Sequence, residues 1–284
     1  MANSTEVLTL ARARALVAAG FDALEGRKQE INDLNVYPVP DGDTGTNLTL
    51  TLRGILDSLA RLSPVVSQHD LCAAVSQAAL MGARGNSGVI LSQIVRGAMD
   101  VLGQPGPVDT RVLATSLHHA TETAYRAVRK PVEGTMLTVL RDMATKAEEV
   151  ADGLTPEAFM DAVIAEGWRS VERTPSLLRV LADAGVVDAG GFGLVVLLEG
   201  AAKGGRDWSV PIETHVTHVL DGMPGTAPAA ATLHVEDEAE ESSIYGYCTS
   251  YLLTGQGLDK ASLEDELSRL GDSLLVVGDN GQVK

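Results

Sequence analysis

Four turns rich in glycine and small polar residues each open onto apolar residues at helical spacing, and their order along the chain limits the fold more than any other feature. They are Asn35-Val-Tyr-Pro-Val-Pro-Asp41-Gly-Asp43-Thr-Gly45-Thr-Asn47, then Met81 to Leu91, Lys130 to Leu137 and Ala184 to Gly193. Successive turns are two helices apart when the short Leu177 to Leu181 segment is counted with the turn it leads into. In antiparallel packing, connections an even number of helices apart lie at the same end. The four turns are therefore expected to gather at one mouth of an all-helical barrel or bundle.

The helices themselves are read from periodicity and from start and stop signals. An amphipathic first helix is expected over about Thr5 to Leu24, and a second from Thr44 to Leu62, stopped by Ser63-Pro64. Ser67 suits the cap of a third, ending at Met81, and a fourth contains Ile90, Leu91, Ile94 and Val95. Helices follow over about Asp109 to Val128, up to Val150, and from Thr155-Pro156-Glu157 to Arg173, where Thr174-Pro175 reads as a stop. Leu177 to Leu181 and Leu194 to Leu198 complete the set. A composition of 45% hydrophobic but only 4% aromatic residues agrees with packed helices rather than a β-sandwich.

After Lys203-Gly-Gly the character changes, and three regions are expected: a helical domain over 1–205, a Pro-, Ala- and acid-rich linker over 206–243, and the beginning of a small α/β domain over 244–284. In the last region Tyr245 to Leu253 and Ser273 to Val277 read as strands, Ser262 to Leu270 as a helix and Asn280-Gly281 as a turn. A strand–helix–strand cannot cover a sheet, so this domain is expected to be incomplete at Lys284. The formal charge of -16 argues against nucleic acid and against anionic membrane. No apolar run is long enough to cross a bilayer and no basic leader opens the chain, so a cytoplasmic protein is expected. Cys72 and Cys248 give no disulfide framework. His118 and His119 are adjacent on a helix and point about 100° apart, too far to share an ion. His215 and His218 have no nearby Cys or carboxylate partner and read as solvated.

Chemistry concentrates in the turns. Pro38 and Pro40 hold the approach extended, and Asp41 and Asp43 then stand either side of Gly42, where their carboxylates can converge. Hard oxygens on a tight loop suit Mg²⁺. An EF-hand fails on spacing, because Thr46 and Leu52 stand where Gly and Glu are needed, and a plain Asp-Gly-Asp surface turn is the competing reading. The helix after this loop presents free N–H groups that favour an anion. Gly85, Asn86, Ser87 and Gly88 likewise precede an apolar helix and offer a phosphate cradle, with a glycine C-cap and serine N-cap as the alternative. No Walker A lysine pattern is present. Thr135, Met136 and Leu137 suit an adenine slot or ordinary cap and core. Metal plus anion at a helix start suggests a nucleotide phosphate.

The ordered motifs N-x5-D-G-D-T-G-T-N, A-R-G-N-S-G, E-G-T-M and V-V-D-A-G-G make the chain similar to the ATP-binding subunit of bacterial fatty acid kinase, within the dihydroxyacetone kinase L-domain superfamily. The resemblance spans essentially the whole sequence. It implies a barrel of eight antiparallel helices with Mg-ATP at one end. By position, Asp41 and Asp43 resemble the carboxylates that bind two Mg²⁺, and Asn35 stands near where dihydroxyacetone kinases have a third Asp. Thr44, Thr46 and Asn47, with Gly85, Asn86, Ser87 and Gly88, resemble the phosphate cradle. Thr135, Met136, Asp188 and Gly190 resemble the nucleoside side. Dihydroxyacetone kinases carry His where Thr44 stands, and hold their sugar on a separate domain of which this chain shows no trace. The resemblance thus implies a fatty acid acceptor presented by a separate fatty-acid-binding carrier protein, with a glycerone-type kinase and a non-catalytic nucleotide-binding module as alternatives. It also implies a second metal site, with Zn²⁺ as a candidate, using Cys248 and two histidines expected past Lys284. A homodimer stays open as the assembly.

Overall fold

The computed structural model describes residues 8–205, 249, 251–270, 274–278 and 281–284. Cys248, His215, His218, the expected linker and most of the first expected strand lie outside them.

Helix α1 (Leu10–Gly26) starts later than its periodicity suggests, because Thr9 turns back to accept from the Arg12 N–H and fixes the first turn there. A short helix α2 (Lys28–Asp33) follows at once. The sequence reading passes over it, since its only buried side chain is Ile31 and six mostly polar residues show no period. Then come α3 (Thr44–Arg61), α4 (Gln68–Gly82), α5 (Gly85–Leu102), α6 (Thr110–Ala127) and α7 (Met136–Val150). Ser67 caps α4 as expected, its Oγ accepting from the Asp70 N–H at 3.0 Å.

Helix α8 (Pro156–Leu177) runs straight through Pro175, where the sequence reading ends it. A proline inside a helix strands the carbonyl four residues back. Here that carbonyl belongs to Val171, and the Thr174 hydroxyl donates to it at 2.7 Å. The residue that looks like part of a stop signal is therefore what lets the helix continue. Helix α9 (Arg179–Ala184) ends on Gly185 at φ 67°, and α10 (Ala189–Gly204) closes the domain.

Eight of these helices have 15 residues or more. They pack in chain order, α1 on α3, then α4, α5, α6, α7, α8 and α10, and α10 returns to α1 to close a barrel. α3 also touches α5 and α10, and α10 touches α7, so these four line the interior. The core holds Phe159, Phe192, Leu140, Met143 and Leu48, each nearly or fully buried. Removing such side chains from water contributes roughly 1.5–3 kcal/mol apiece. Trp168 meets Phe192 edge-on at 5.2 Å, and the Arg27 guanidinium lies 4.4 Å from the Phe192 ring centre.

The described residues of the C-terminal part contain two short strands. Among the described residues, β1 is only Leu253–Thr254, and it pairs antiparallel with β2 (Gln282–Val283), a strand the sequence reading does not contain. Helix α11 (Lys260–Leu267) starts earlier than expected because the Asp259 carboxylate accepts from the Ala261 and Ser262 N–H groups. Of the expected strand at 273–277, the described residues show a bridge between Leu275 and Val128 of the barrel and a pair of backbone hydrogen bonds between Val277 and Lys284. Val277 packs against Ala83 and Val89.

Candidate functional site

The parity expected of the turns is met. The N-terminal ends of α3, α5, α7 and α10 share one end of the barrel, and close contacts tie them together: Asn47 against Gly85, Leu48 against Gly193, and Met136 against Gly190. The opposite end is finished differently. Helices α1, α4, α6 and α8 all carry side-chain caps, from Thr9, Ser67, Asp109 and Thr155. At the mouth, α5 and α7 have none. The Met136 N–H at the start of α7 goes to Asp188, and the first N–H groups of α5 are left for another partner.

Helix α5 also begins earlier than the sequence suggests, at Gly85. Asn86, Ser87 and Gly88 are thus its first turn rather than a loop before it. Gly85 sits at φ 56°, and a Cβ there would strike the Asn47 side chain. Only glycine lets α3 and α5 start this close together. Thr51 fixes the spacing from below, donating to the Asn47 carbonyl at 2.7 Å and accepting the Arg84 N–H at 3.4 Å.

Asp41 and Asp43 stand at the entrance to α3. Asp43 occupies the N-cap position yet makes no capping bond with its side chain. Burial raises its carboxyl above the usual range; hydrogen bonding with Asn47 opposes this and the nearby Asp41 charge adds to it. A cation at this point would relieve both the burial and the repulsion. Asn35 is buried, and both ends of its amide are engaged. Its Nδ2 donates to Asp41 Oδ1 at 2.7 Å and to the Val39 carbonyl at 3.1 Å, while its Oδ1 accepts from the Thr44 hydroxyl at 2.8 Å. The Thr44 hydroxyl lies 3.4 Å from Ser87 Oγ, joining the acidic loop to the first turn of α5. The Tyr37–Pro38 peptide is cis.

Asn32, which no sequence pattern singles out, anchors the arrangement from α2. Its Oδ1 accepts the Thr46 N–H and its Nδ2 donates to the Thr46 hydroxyl, both at 3.1 Å. On the other side of the mouth, Asp188 is buried and caps α10 through the Gly191 N–H at 2.6 Å. Desolvation pushes its carboxyl up to about 6, with the Gly191 and Met136 backbone donors pulling the other way. Those two bonds hold the starts of α7 and α10 together and place Met136 against Gly190. Thr135 precedes Met136 and donates to the Val132 carbonyl at 2.8 Å.

Among the described residues, no three His, Cys, Asp or Glu side chains form a metal cluster. The donor set at the mouth is two carboxylates beside free helix N–H groups. That suits Mg²⁺, which commonly takes one or two carboxylates and completes its shell with phosphate oxygens and water.

The sequence profile of the DAK2 domain matches residues 38–203. The chain belongs to the DAK2 domain family. A second profile, the middle domain of FakA-like fatty acid kinase proteins, matches residues 244–284. Uncharacterized proteins of Staphylococcus aureus strains bovine RF122 / ET3-1 and USA300 are each 37% identical over 285 aligned positions, covering 95% of this chain and 49% of the relative. The chain thus spans about half the length of these relatives. Among solved structures it is similar to the dihydroxyacetone kinase from C. freundii in complex with AMP-PNP and Mg²⁺, at TM-score 0.52 and 21% identity over 72% of this chain and 36% of that one. The native form of that kinase gives TM-score 0.51 and 20% identity over 72% and 37% of the two chains. These likenesses establish the DAK2 helical barrel as the fold.

Proposed function

We propose that the barrel mouth binds Mg-ATP, and that the whole protein transfers the γ-phosphoryl group to the carboxylate of a fatty acid presented by a separate carrier protein. The observation that carries this reading is the meeting of the Asp41–Asp43 loop with the uncapped start of α5, where Thr44 and Ser87 are 3.4 Å apart. The DAK2 profile and the AMP-PNP and Mg²⁺ described for the C. freundii kinase support it.

In this reading Asp41 and Asp43 hold the metal, taken as two ions, with Asn35 orienting Asp41 and lying beside the ligands. The N–H groups of Gly85, Asn86 and Ser87 take phosphate oxygens, with Thr44, Thr46, Asn47 and Gly88 shaping the cradle. Met136, Thr135 and Gly190 flank the nucleoside, and Asp188 fixes their spacing. Bound Mg²⁺ would neutralise phosphate charge. The acceptor carboxylate attacks the γ-phosphorus, the bond to the β–γ bridging oxygen breaks, and ADP and acyl phosphate result. The acceptor is ionised at neutral pH and needs no general base. That suits a mouth to which none of the described histidines, His69, His118 and His119, belongs. The carrier contact draws on the fatty acid kinase-like profile over 244–284.

A glycerone-type kinase is the second reading, favoured by the structural neighbours. A third, a nucleotide-binding module without turnover, is kept because the chain spans about half of its relatives. An ADP-release assay with a fatty-acid-loaded carrier, with dihydroxyacetone and with neither separates them. Stimulation by the loaded carrier supports the proposal, stimulation by the triose supports the second reading, and bound nucleotide without release under any acceptor supports the third. In the double variant Asp41→Ala, Asp43→Ala, unchanged Mg-dependent ATP affinity would sink all three.

A further inference from the structure

The outer face of α5 carries a second cleft. A cavity of about 710 Å³ lies between α4 and α5 and is closed on one side by Gly278 and Gly281 of the C-terminal segment. It adjoins a smaller one of about 330 Å³ between α5, α6 and Lys260 of α11, and the two share Gln93, Arg96 and Asp100. Neither is lined by a residue of the barrel mouth. Arg96 stands nine residues beyond Ser87 on the same helix, about 14 Å along its axis.

The two halves differ in chemistry. The larger half has an apolar wall of Cys72, Ala73, Leu80 and Met99. Burial pushes the Cys72 thiol up to about 11, so this cysteine is wall rather than nucleophile. The smaller half gathers Arg96, Arg126, His119 and Lys260, with Thr123 and Gln93 as further polar groups. Two carboxylates stand among these groups, Asp100 in the lining and Glu122 beside it, and both face cleft residues. Asp100 faces His119 at 3.7 Å, and Glu122 faces His119 at 3.8 Å and Arg126 at 3.5 Å. Among the described residues Arg96 reaches the Gly278 carbonyl, at 3.5 Å, and neither it nor Lys260 has a carboxylate within ion-pair distance. In a chain of charge -16, a part-buried guanidinium left this way beside an apolar trough is an unbalanced feature. A planar guanidinium matches a carboxylate or phosphate head, and the size falls within the roughly 300–1,000 Å³ of small-molecule sites.

We propose that this cleft is a second ligand site, distinct from the nucleotide site, which binds an amphiphilic oxyanion with its head at Arg96 and Lys260 and its apolar body between α4 and α5. Because Gly278 and Gly281 form one wall, the ligand seats against both the barrel and the C-terminal segment. The site does not depend on the kinase reading.

Titration calorimetry on the full chain, with Mg-AMP-PNP saturating, tests it with decanoate, decyl phosphate, inorganic phosphate and decyltrimethylammonium. Binding of either decyl anion is expected, with Arg96→Gln weakening it roughly tenfold or more. The tighter of the two anions identifies the head group. Ser76→Trp, on the trough side of α4, blocks the apolar half by bulk, should weaken both decyl anions, and serves as the check if Arg96→Gln fails to fold. Decyl anions that bind both variants as they bind the wild type overturn the proposal. So does equal binding of the decyl cation, which would mean unspecific apolar adsorption, and so does inorganic phosphate binding as tightly as decyl phosphate, which would leave the trough without a role.

Discussion

The Asn35 amide nitrogen donates to Asp41 Oδ1 at 2.7 Å, and the same amide receives the Thr44 hydroxyl on its oxygen at 2.8 Å. One buried side chain thus sets the direction of the acidic loop and ties it to the first residue of α3. Replacing Asn35 with Ala leaves the Asp41 carboxylate free to turn to solvent. Hydrogen bonds to a charged partner contribute about 1.5–3 kcal/mol, so Mg-dependent AMP-PNP affinity should fall roughly tenfold or more while the helical circular dichroism is kept. Calorimetric titration at fixed Mg²⁺ reads this directly, and an unchanged affinity would show that Asp41 needs no orientation.

Gly85→Ala places a methyl group against the Asn47 side chain at a backbone φ of 56°. The left-handed conformation alone costs about 1–2 kcal/mol for a residue with a Cβ. Thermal melting should show that loss, and nucleotide binding should weaken as Asn47 is pushed aside. Gly153→Ala, at φ 91° with open space around it, is the control. It carries the backbone penalty without the loss of binding.

Thr174 supports both neighbours of the mouth's far wall, donating to the carbonyl that Pro175 strands and accepting the Asp188 N–H at 3.0 Å. Thr174→Val keeps the shape and leaves both groups buried without partners, at about 1–3 kcal/mol each. Thr174→Ser keeps the hydroxyl and should lose much less. Urea unfolding of the two variants distinguishes a hydroxyl effect from a packing effect.

Asp188 gives stability a pH dependence of known sign. Its carboxyl is raised to about 6 in the fold, against about 3.9 in an unfolded chain. The native state therefore holds a proton that the unfolded chain has released. The contribution is full below about pH 4 and is lost as pH rises to about 6. Asp188→Asn does not titrate, so its stability relative to wild type should improve by about 2 kcal/mol between pH 4 and pH 7. Paired urea midpoints at those two pH values measure it. A difference that does not change with pH would mean the fold leaves the titration of this carboxyl where the unfolded chain has it.

The long helices and the end at which their turns meet could be read from the chain because periodicity and parity are properties of sequence order. Asp41, Asp43 and the Gly85–Gly88 run were readable for the same reason: their chemistry is local. Asn32 and Thr51 were not, since an Asn in a short polar helix and a Thr in a Thr-Leu-Thr-Leu run acquire their roles only when α2 and α5 come to rest against α3. Pro175 misled because its local rule was outweighed by one neighbouring hydroxyl. The start of α5 was misplaced because Gly, Asn and Ser are poor helix formers that tertiary contact holds in a helix here.

Val277 fills the space behind Ala83 and Val89, the residues on either side of the Gly85–Gly88 turn, and Lys284 donates to the Ala83 carbonyl across 201 positions of sequence. The turn that faces the mouth thus rests on a part of the chain outside the DAK2 profile, which ends at residue 203. A fragment cut at the domain boundary would keep every residue of the mouth and lose its backing, so nucleotide affinity measured on such a fragment describes a cradle with one side unsupported.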